Sequence, residues 1–427
     1  MRFIADLEIH SRFARACSKD LTIPNIAVWA VKKGLTVCGT GDFTHPLWMK
    51  EIKEKLEPAE EGLYTLKKDW YPKDSPISSL REVRFLLSGE ISCIYSKGGR
   101  VRRVHHLVYA PSIEIAERFN EKLAAIGNIR SDGRPIIGTP SKRLLELLLS
   151  ASPDCVLIPA HVWTPHFGVF GSASGYDSLK ECFEELEPQV FAIETGLSSN
   201  PPMNWRIPFL DDKALISSSD AHSLHRLGRE ATIFDCELSY KKIWSAFRTH
   251  GKELVGTVEF FPEEGKYHYD GHRDCKVSFD PEETKKHRGL CSACARPVTV
   301  GVLSRVEKLA APDRPLGFRP EWAKPYFSLV PLEEIIAETF GLGVASKAVV
   351  ARYEETIKKL GGELRILLDR EAHELAAVLS SELAEAILRV RSGKVEIQPG
   401  YDGEYGKIKI FEASERAAKG VAQARLF

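Results

Sequence analysis

Short apolar runs rich in Val, Ile and Leu alternate with longer segments of helical period through residues 1–261, and this alternation constrains the fold more than any other feature. It is typical of repeated β-α units around a parallel sheet. The pattern therefore predicts an α/β fold. The predicted strands are Phe3 to Leu7, Leu35 to Gly39, Phe85 to Ser88, His106 to Tyr109, Val156 to Pro159, Val190 to Ile193 and Ala214 to Ile216.

Side chains that can bind a metal ion follow the predicted strands, and in the fourth strand they stand at its start. Because the loops at the carboxyl ends of barrel strands form one face, we expect these side chains to meet in one cavity. Buried together without cations, the carboxylates would repel one another, so the pattern predicts a site for two or three divalent ions. The candidate ligands are Glu8, His10, Asp42, His45, Glu90, His106, His161, Glu194, Asp220 and His222.

Each candidate ligand also has a structural explanation when it is taken alone. Asp42 could cap a helix, His161 could be a hydrogen-bonded core histidine, and Glu90 could lie on a solvated loop. The choice of His106 over its neighbour His105 is open as well. The metal hypothesis depends on the whole set of residues at successive strand ends.

A second metal motif lies after the α/β region. His272 and Cys275 are followed by Cys291 and Cys294, each pair with two residues between its members. Two such chelating pairs are typical of a closed tetrahedral zinc site, which stabilises a small domain. His287 is an alternative fourth ligand, and free reduced cysteines are the alternative to a metal site.

Charge and hydropathy limit the classes of function that the chain can have. Its 59 basic and 59 acidic residues cancel, so a surface that binds nucleic acid must be a local basic strip. The amino terminus carries acids where a signal peptide needs an apolar run, and no stretch approaches the roughly 18 apolar residues of a membrane span. The nine cysteines are irregularly placed, as in proteins of a reducing compartment. We expect a cytoplasmic protein without membrane contact.

Seven short motifs follow in order along the first 60% of the chain, namely ADLEIHS, GTGDFTHP, SGEIS, HHLVYAP, IPAHVWTP, ETGLSS and SSSDAHS. Together they resemble the metal-ligand motifs of the PHP (polymerase and histidinol phosphatase) family. The resemblance implies a distorted seven-unit β/α barrel. Because of two departures, the resemblance supports Glu8 and His45 as ligands less well than it supports His10, Glu90, His161, Asp220 and His222. Where the family usually has His-x-His the chain has Glu8-x-His10, and where it usually has adjacent Asp and His the chain separates Asp42 from His45 by two residues.

The chain as a whole resembles the endonuclease Q family, which combines such a barrel with a zinc segment and a helical tail. The stretches GLSSNPPMNWR, LGREATIFD, FFPEEGKYHYDGH and RPVTVGVLSRVEKLA carry this resemblance. It implies cleavage of DNA 5′ to deaminated bases (uracil, hypoxanthine, xanthine) or abasic sites, leaving a 3′ hydroxyl and a 5′ phosphate. The implied domains are a catalytic barrel over residues 1–262, a zinc-binding segment over 263–310, and a mainly helical domain with a terminal strand pair over 311–427.

Several site assignments follow from this resemblance. The active site would hold Zn²⁺, Mg²⁺ or Mn²⁺, and the partners would be double- or single-stranded DNA with damaged bases and a replication or repair clamp. The predicted catalytic residues are Glu90, His161, Asp220 and His222. The predicted DNA-contacting residues, including those of a pocket for an extruded base, are Arg100, Arg102, Arg103, Ser172, Ser174, Tyr176, Tyr267, Tyr269 and Lys347. The basic run Lys285 to Gly289 is a further candidate strip.

Two other functions are compatible with these features. A small-molecule phosphomonoesterase of the same barrel class, acting on a compound such as histidinol phosphate, would suit the neutral net charge. It would not need the zinc segment or the helical tail. A noncatalytic DNA-binding module with a degenerate barrel is the third hypothesis, and the ligands retained at nearly every strand end argue against it.

Overall fold

A computed structural model describes residues 1–73, 80, 82–248 and 251–412, and it shows a mixed α/β protein. A strand occurs at each of the seven predicted positions. The strands are β1 Arg2–Asp6, β2 Val37–Gly39, β3 Leu56–Pro58, β4 Leu63–Leu66, β5 Arg84–Leu86, β6 Ser88–Lys97, β7 Arg100–Tyr109, β8 Ile136–Ile137, β9 Val156–Pro159, β10 Ala192–Glu194, β11 Ala214–Ile216, β12 Ala231–Asp235, β13 Leu254–Glu259, β14 Asp270–His272, β15 Val277–Phe279, β16 Tyr326–Ser328, β17 Glu396–Gln398 and β18 Lys407–Lys409.

Helices connect and cover these strands. The first begins at Ile23, with a proline at its start and Gly34 in the left-handed conformation (φ 81°) at its end, which is a common way to start and stop a helix. The helices are α1 Ile23–Lys33, α2 Pro46–Lys55, α3 Ile113–Ala124, α4 Ser141–Ala151, α5 Leu179–Phe183, α6 Pro201–Trp205, α7 Tyr240–Arg248, α8 Pro281–Lys286, α9 Val302–Leu309, α10 Leu332–Phe340, α11 Lys347–Leu360, α12 Glu363–Leu368, α13 Ala372–Val378 and α14 Ser381–Arg391. Within the described residues, none of these helices has both the length and the apolar character to cross a bilayer.

The largest sheet has the strand order β16-β13-β12-β1-β2-β5-β4-β3. Strands β1, β2 and β5 are parallel, as the β-α pattern predicts. Strand β12 instead pairs antiparallel with both of its neighbours, β1 and β13. The expectation of a purely parallel sheet was therefore wrong. Apolar runs in buried parallel and antiparallel strands look alike, so the sequence pattern does not distinguish the two directions.

A long hairpin stands where the sequence suggested two separate β-α units. Strands β6 and β7 are joined through Gly98 and Gly99, which both have positive φ angles (61° and 72°) suited to a tight two-residue turn. The register pairs Ser92 with His105 and Ile91 with His106. Directly opposed residues share one face of a sheet and neighbours alternate, so this register decides which histidine lies on the face that carries Glu90.

The charged segment between Glu51 and Glu82 contributes strands β3 and β4, which extend the large sheet at its edge. Residues 74–79 and 81 of this segment lie outside the described residues.

The Cys/His segment forms a small unit of its own. Strands β14 and β15 pair antiparallel, and a minor core of Phe279, Cys291 and Val298 packs beside them. The chain then returns to the large sheet, because β16 pairs in parallel with β13. The boundary expected at residue 311 lies before β16 and would separate this strand from the sheet that it joins, and the first helix of the helical part begins at Leu332. The predicted terminal strand pair is confirmed as β17 and β18.

The helical part is anchored to the barrel region by a buried ion pair. Lys33 Nζ at the end of α1 lies 2.5 Å from Glu363 Oε2, and both side chains are almost fully buried. Glu363 also accepts hydrogen bonds from the Tyr353 hydroxyl (2.8 Å) and from the backbone N–H of Leu332 (3.1 Å). A buried carboxylate with this many donors fixes one orientation of the two parts.

Candidate functional site

Acidic and imidazole side chains from the ends of several strands converge in one place. Three groups have their ligand atoms within 4.8 Å of one another. Glu90 and Asp220 link these groups, so they form one continuous cluster. The groups are His10 with Asp220 and His222, Glu90 with His105 and His161, and Glu8 with Glu90 and Asp220.

His10 lies at the centre of this cluster and is fully buried. Its Nδ1 is 3.0 Å from Asp42 Oδ1, and its Nε2 is 3.1 Å from Asp220 Oδ1 and 3.2 Å from Glu90 Oε2. Asp42 uses its second oxygen to accept the backbone N–H of Ser11 (2.6 Å). In a histidine that binds a metal ion, one ring nitrogen usually faces the metal and the other is hydrogen-bonded to a group such as a carboxylate. His10 has this arrangement, with Asp42 at Nδ1 and the other carboxylates at Nε2.

Glu90 is the most connected carboxylate of the cluster. Its Oε1 lies 2.5 Å from His105 Nδ1 and 3.2 Å from His161 Nε2, and its Oε2 lies 3.0 Å from Arg134 Nη1. Burial lowers the pKa of His105 to about 4, so this imidazole is neutral near pH 7 and has a lone pair for a cation.

The backbone is strained at three residues of the site. Asp42, His161 and Asp220 have φ angles of 46°, 29° and 47°, in the left-handed region that non-glycine residues rarely adopt. Such conformations cost about 1–3 kcal/mol each and cluster at functional sites. At Gly196 a Cβ atom would lie 2.4 Å from the Cβ of His161, so a side chain there would displace this histidine.

The donor set fits divalent cations. Both carboxylate oxygens of Glu8 are buried and have no hydrogen-bond partner among the described residues. Burial and the negative charges of Glu194, Asp220 and Glu90 raise the pKa of Glu8 well above its usual range. Burial also raises the pKa of Glu194 to about 7. Cations would remove this repulsion and supply the missing partners, and oxygen and imidazole donors suit Zn²⁺, Mn²⁺ or Mg²⁺.

Four predicted ligands lie outside the groups of converging atoms. His106 faces away from Glu90 and its Nε2 lies 2.8 Å from Ser141 Oγ, so the choice of His106 over His105 was wrong. His45 stacks on Phe13 and its Nε2 lies 3.1 Å from the Arg130 carbonyl oxygen. Asp42 orients His10, and both its oxygens are already hydrogen-bonded. Glu194 remains beside the cluster, where its Oε2 accepts the backbone N–H of His161 (2.8 Å).

The four residues of the second predicted metal site lie together. The ligand atoms of His272, Cys275, Cys291 and Cys294 all lie within 4.8 Å of one another, and Cys294 Sγ is 3.3 Å from His272 Nδ1. Burial opposes ionisation of Cys291, but backbone N–H groups of the following residues lower the pKa of this thiol to about 6. A thiolate of this kind suits Zn²⁺. The alternative ligand His287 stacks on Phe279 and does not join the group.

The predicted DNA-contacting residues divide between surface and interior. Arg100, Arg103, Ser172 and Lys347 are exposed, and Tyr267 and Tyr269 are half-buried.

Two other members of that prediction are interior residues. Ser174 is buried and its hydroxyl donates to the His166 carbonyl oxygen (2.6 Å). Tyr176 is 2% exposed and its hydroxyl lies 2.7 Å from that of Tyr95. Their assignment as DNA contacts was wrong, because both side chains hold the loop of residues 168–178 in place. Arg102 is half-buried with its guanidinium 4.1 Å above the ring of Tyr176, which leaves it only partly accessible.

A cavity of about 510 Å³ opens over the cluster, and two smaller clefts are lined by residues close in sequence to residues of its wall. It is lined by Glu8, His105, His161, Asp220 and His222, together with residues that sequence analysis missed. The missed residues are Arg15, Asp132 and Arg134. Their signal was weak, since arginines and aspartates are common in loops and none of the three follows a predicted strand.

The comparisons with known proteins agree with this architecture. A family model described as the MJ0043 C-terminal domain matches residues 331–394. The uncharacterized protein MJ0043 of Methanocaldococcus jannaschii is 37% identical over 256 residues, which are 58% of this chain but only 31% of that protein, so the chain spans about a third of its length. The uncharacterized protein YqxK of Bacillus subtilis is 27% identical over 423 residues, covering 96% of this chain and 99% of YqxK.

Two crystal structures are similar over nearly the whole chain. One is the lesion-specific endonuclease PfuEndoQ of Pyrococcus furiosus, with a TM-score of 0.83 and 30% identity, covering 98% of this chain and 99% of that one. The other is endonuclease Q in complex with a 27-mer duplex that has an abasic lesion at the active site. Its TM-score is 0.81 and its identity 31%, covering 96% of this chain and 97% of that one.

Replacing His105 by Ala should reduce the metal bound at the cluster, whereas His106→Ala should leave it unchanged. The reason is that His105 lies 2.5 Å from Glu90 while His106 lies against Ser141. Metal content by mass spectrometry after gel filtration measures this difference. Equal loss from both variants would contradict the assignment of His105.

Replacing Cys294 by Ser should remove about one zinc ion per chain and lower the melting temperature, because a structural zinc site contributes directly to folding. Cys155→Ala is the matched control, since Cys155 is a free, buried cysteine in the main core. Zinc content and thermal unfolding are measured together. A Cys294→Ser protein that retains its full zinc content would refute the site.

Proposed function

The chain belongs to the endonuclease Q family, and on this premise we propose that it is a metal-dependent DNA repair endonuclease. We propose that it hydrolyses the phosphodiester 5′ to a deaminated base (uracil, hypoxanthine or xanthine) or an abasic site, leaving a 3′ hydroxyl and a 5′ phosphate. The observation that carries the proposal is the buried cluster of carboxylates and imidazoles beneath an open cavity. The finer fold description, a PHP-type barrel followed by a zinc domain, belongs to the same proposal.

Divalent ions, when bound, would supply an activated water molecule and would stabilise charge on the leaving 3′ oxygen. The protein's own part is to hold their ligands rigid. Glu8, Glu90 and Asp220 converge from three strand ends as oxygen donors. Burial opposes ionisation of Asp220, but its hydrogen bond to His10 lowers its pKa to about 2, so it stays a carboxylate throughout the neutral range.

His222 and His161 complete the proposed catalytic group at the cavity wall. His222 donates its Nδ1–H to the Asp220 carbonyl oxygen (2.9 Å), which leaves the Nε2 lone pair available to a cation. His161 is held through its backbone N–H by Glu194 and through Nε2 by Glu90. Zn²⁺ is the ion we propose for both sites, with Mg²⁺ or Mn²⁺ as substitutes at the cluster.

An extruded base needs a pocket beside the cluster, and we place it in a flanking cleft of about 410 Å³. The loop after β10 contributes Leu197 and Ser198 to the metal cavity and Asn200 to this cleft, so the two are close. The cleft is also lined by Tyr269 of the predicted DNA-contacting set.

This cleft has unused hydrogen-bonding atoms. Arg206, Glu263 and His268 line it, and each has one buried atom without a partner among the described residues, namely Nη1, Oε2 and Nδ1. Burial lowers the pKa of His268 to about 4, so its ring is neutral. Deamination replaces an amino donor of the base by a carbonyl acceptor, and a guanidinium N–H can pair with the carbonyl only. The pocket would therefore select deaminated bases.

DNA would be held by exposed basic side chains around these openings. Arg100 and Arg103 on β7 and Lys347 at the start of α11 are exposed and suit phosphate contacts. Ser172 and Tyr267 line the other flanking cleft, together with Lys308. A replication or repair clamp as a protein partner remains a prediction.

The protein incubated with Zn²⁺, Mn²⁺ or Mg²⁺ should introduce a single nick into an end-labelled duplex that carries one uracil or inosine. Asp220→Asn should lower the rate at least about 100-fold, because it removes a charged ligand shared by two of the groups. An undamaged duplex and a phosphomonoester such as histidinol phosphate are the control substrates. Phosphate release from the monoester without nicking would favour a small-molecule phosphatase, and unchanged nicking by Asp220→Asn would contradict the proposed site.

Arg206→Gln should slow cleavage at uracil about 10- to 100-fold, the value of one hydrogen bond to a charged donor, but should leave cleavage at an abasic site nearly unchanged. An abasic site has no base to recognise, so it reports on the metal centre alone. Arg314→Gln is the matched control, because Arg314 pairs with Asp211 and does not line the cleft. An equal loss on both substrates would refute the base pocket.

A further inference from the structure

A loop that contains no predicted site residue packs directly against the metal cluster. It comprises residues 128–135, between α3 and β8. Asp132 Oδ1 accepts the backbone N–H groups of Arg15 (3.1 Å) and Arg134 (3.0 Å), and the carbonyl oxygen of Pro135 accepts the N–H of Ser92 (3.0 Å). These hydrogen bonds hold the loop in place beside the cluster.

Gly133 allows the loop to come this close. A Cβ atom at residue 133 would lie 2.4 Å from Asp42 Oδ2 and 2.8 Å from the backbone nitrogen of Ala14, so any side chain would displace the loop or the carboxylate that orients His10. The backbone N–H of Gly133 donates to the Phe13 carbonyl oxygen (3.0 Å). Close backbone approach, and not a positive φ angle, is the reason for glycine here.

Arg134 is delivered to the cavity by this loop. Its side chain is 26% exposed, and it lines the same cavity as Glu8, Asp220 and His222. Its Nη1 donates to Glu90 Oε2 (3.0 Å), and no other hydrogen bond of its guanidinium occurs among the described residues. The negative charge of Glu90 raises the pKa of Arg134, so it is a permanent cation with several N–H donors free on the cavity side.

We propose that Arg134 is a catalytic residue that binds the non-bridging oxygens of the scissile phosphodiester. The inference rests on the proposed function and adds a residue to it. In the hydrolysis, the water oxygen forms a bond to phosphorus and the bond from phosphorus to the 3′ oxygen breaks. The water loses one proton, and the leaving oxygen takes one up. Arg134 transfers no proton. Its planar N–H donors pair with phosphate oxygens as negative charge builds up on them.

Glu90 gives the guanidinium a fixed orientation for this task. An unrestrained arginine at a cavity rim would lose side-chain entropy on binding phosphate. Arg134 loses less, because one hydrogen bond and its rigid loop already restrain it. A purely structural role would be to hold Glu90 for the metal ions. That role predicts loss of metal, and the proposed role does not, so the two can be separated.

The test is single-turnover cleavage of a uracil duplex at saturating protein, with metal content measured on the same samples. Arg134→Gln should lower the rate about 100- to 1000-fold with its metal content unchanged, the usual size of a lost donor at developing negative charge. Arg134→Lys should retain part of the rate, because a lysine keeps the charge but not the paired donors. Arg130→Gln is the control, since it lies in the same loop, is exposed and does not line the cavity.

A phosphorothioate at the scissile linkage provides a second measurement, which a purely structural role of Arg134 would not affect. Replacing one non-bridging oxygen by sulfur should slow the wild-type protein in one diastereomer and should slow Arg134→Gln much less, because the contact is already lost. An unchanged rate for Arg134→Gln, or a loss that excess metal restores, would overturn the proposal. If the wild-type protein cuts no lesion duplex at all, the proposed function itself fails and not only this inference.

Discussion

Repulsion among buried carboxylates is the constraint on which the rest of this structure depends. Glu8, Glu90 and Asp220 approach within 4.8 Å at a largely buried place, where screening by water is weak. Imidazoles from four different parts of the chain and the guanidinium of Arg134 surround them, but Glu8 still has no partner among the described residues. Burying these carboxylates together costs free energy unless cations bind between them, so we interpret the fold as a scaffold that holds ions. The strained backbone at Asp42, His161 and Asp220 also costs free energy, and it orients the side chains of these residues toward the cluster.

Residues around the cluster hold its ligands in position. Gly133 and Gly196 let neighbouring loops touch Asp42 and His161 without a side chain between them. Asp42 in turn fixes the ring of His10 and thereby aims it at Asp220. The outer residues therefore determine the positions of the inner ones, and this dependence explains why a site assembled from distant parts of the chain can be rigid.

Sequence reasoning placed the strands and most of the cluster, because ligand-type residues recur at strand ends. It failed where register decides the outcome. His105 and His106 have the same chemistry, and only the pairing of Ser92 with His105 in the hairpin selects the one that faces Glu90. It also missed Arg134, since no local pattern shows that a loop after α3 folds back onto a strand end. Sequence reasoning also failed to predict which loop side chains are buried. Ser174 and Tyr176 belong to a glycine-rich loop that is typical of a surface, but both side chains are buried.

The return of the chain to the large sheet at β16 has a consequence for the Cys/His segment. Strands β13 and β16 lie side by side, so the segment between them is tethered to the barrel region at both of its ends. If the segment binds the zinc ion that we propose and then loses it, the segment would become a closed loop with both ends held in place. The entropy gained by unravelling would be limited, because loop-closure entropy grows only with the logarithm of loop length. Remetallation would then be a local refolding event with its four donors still near one another.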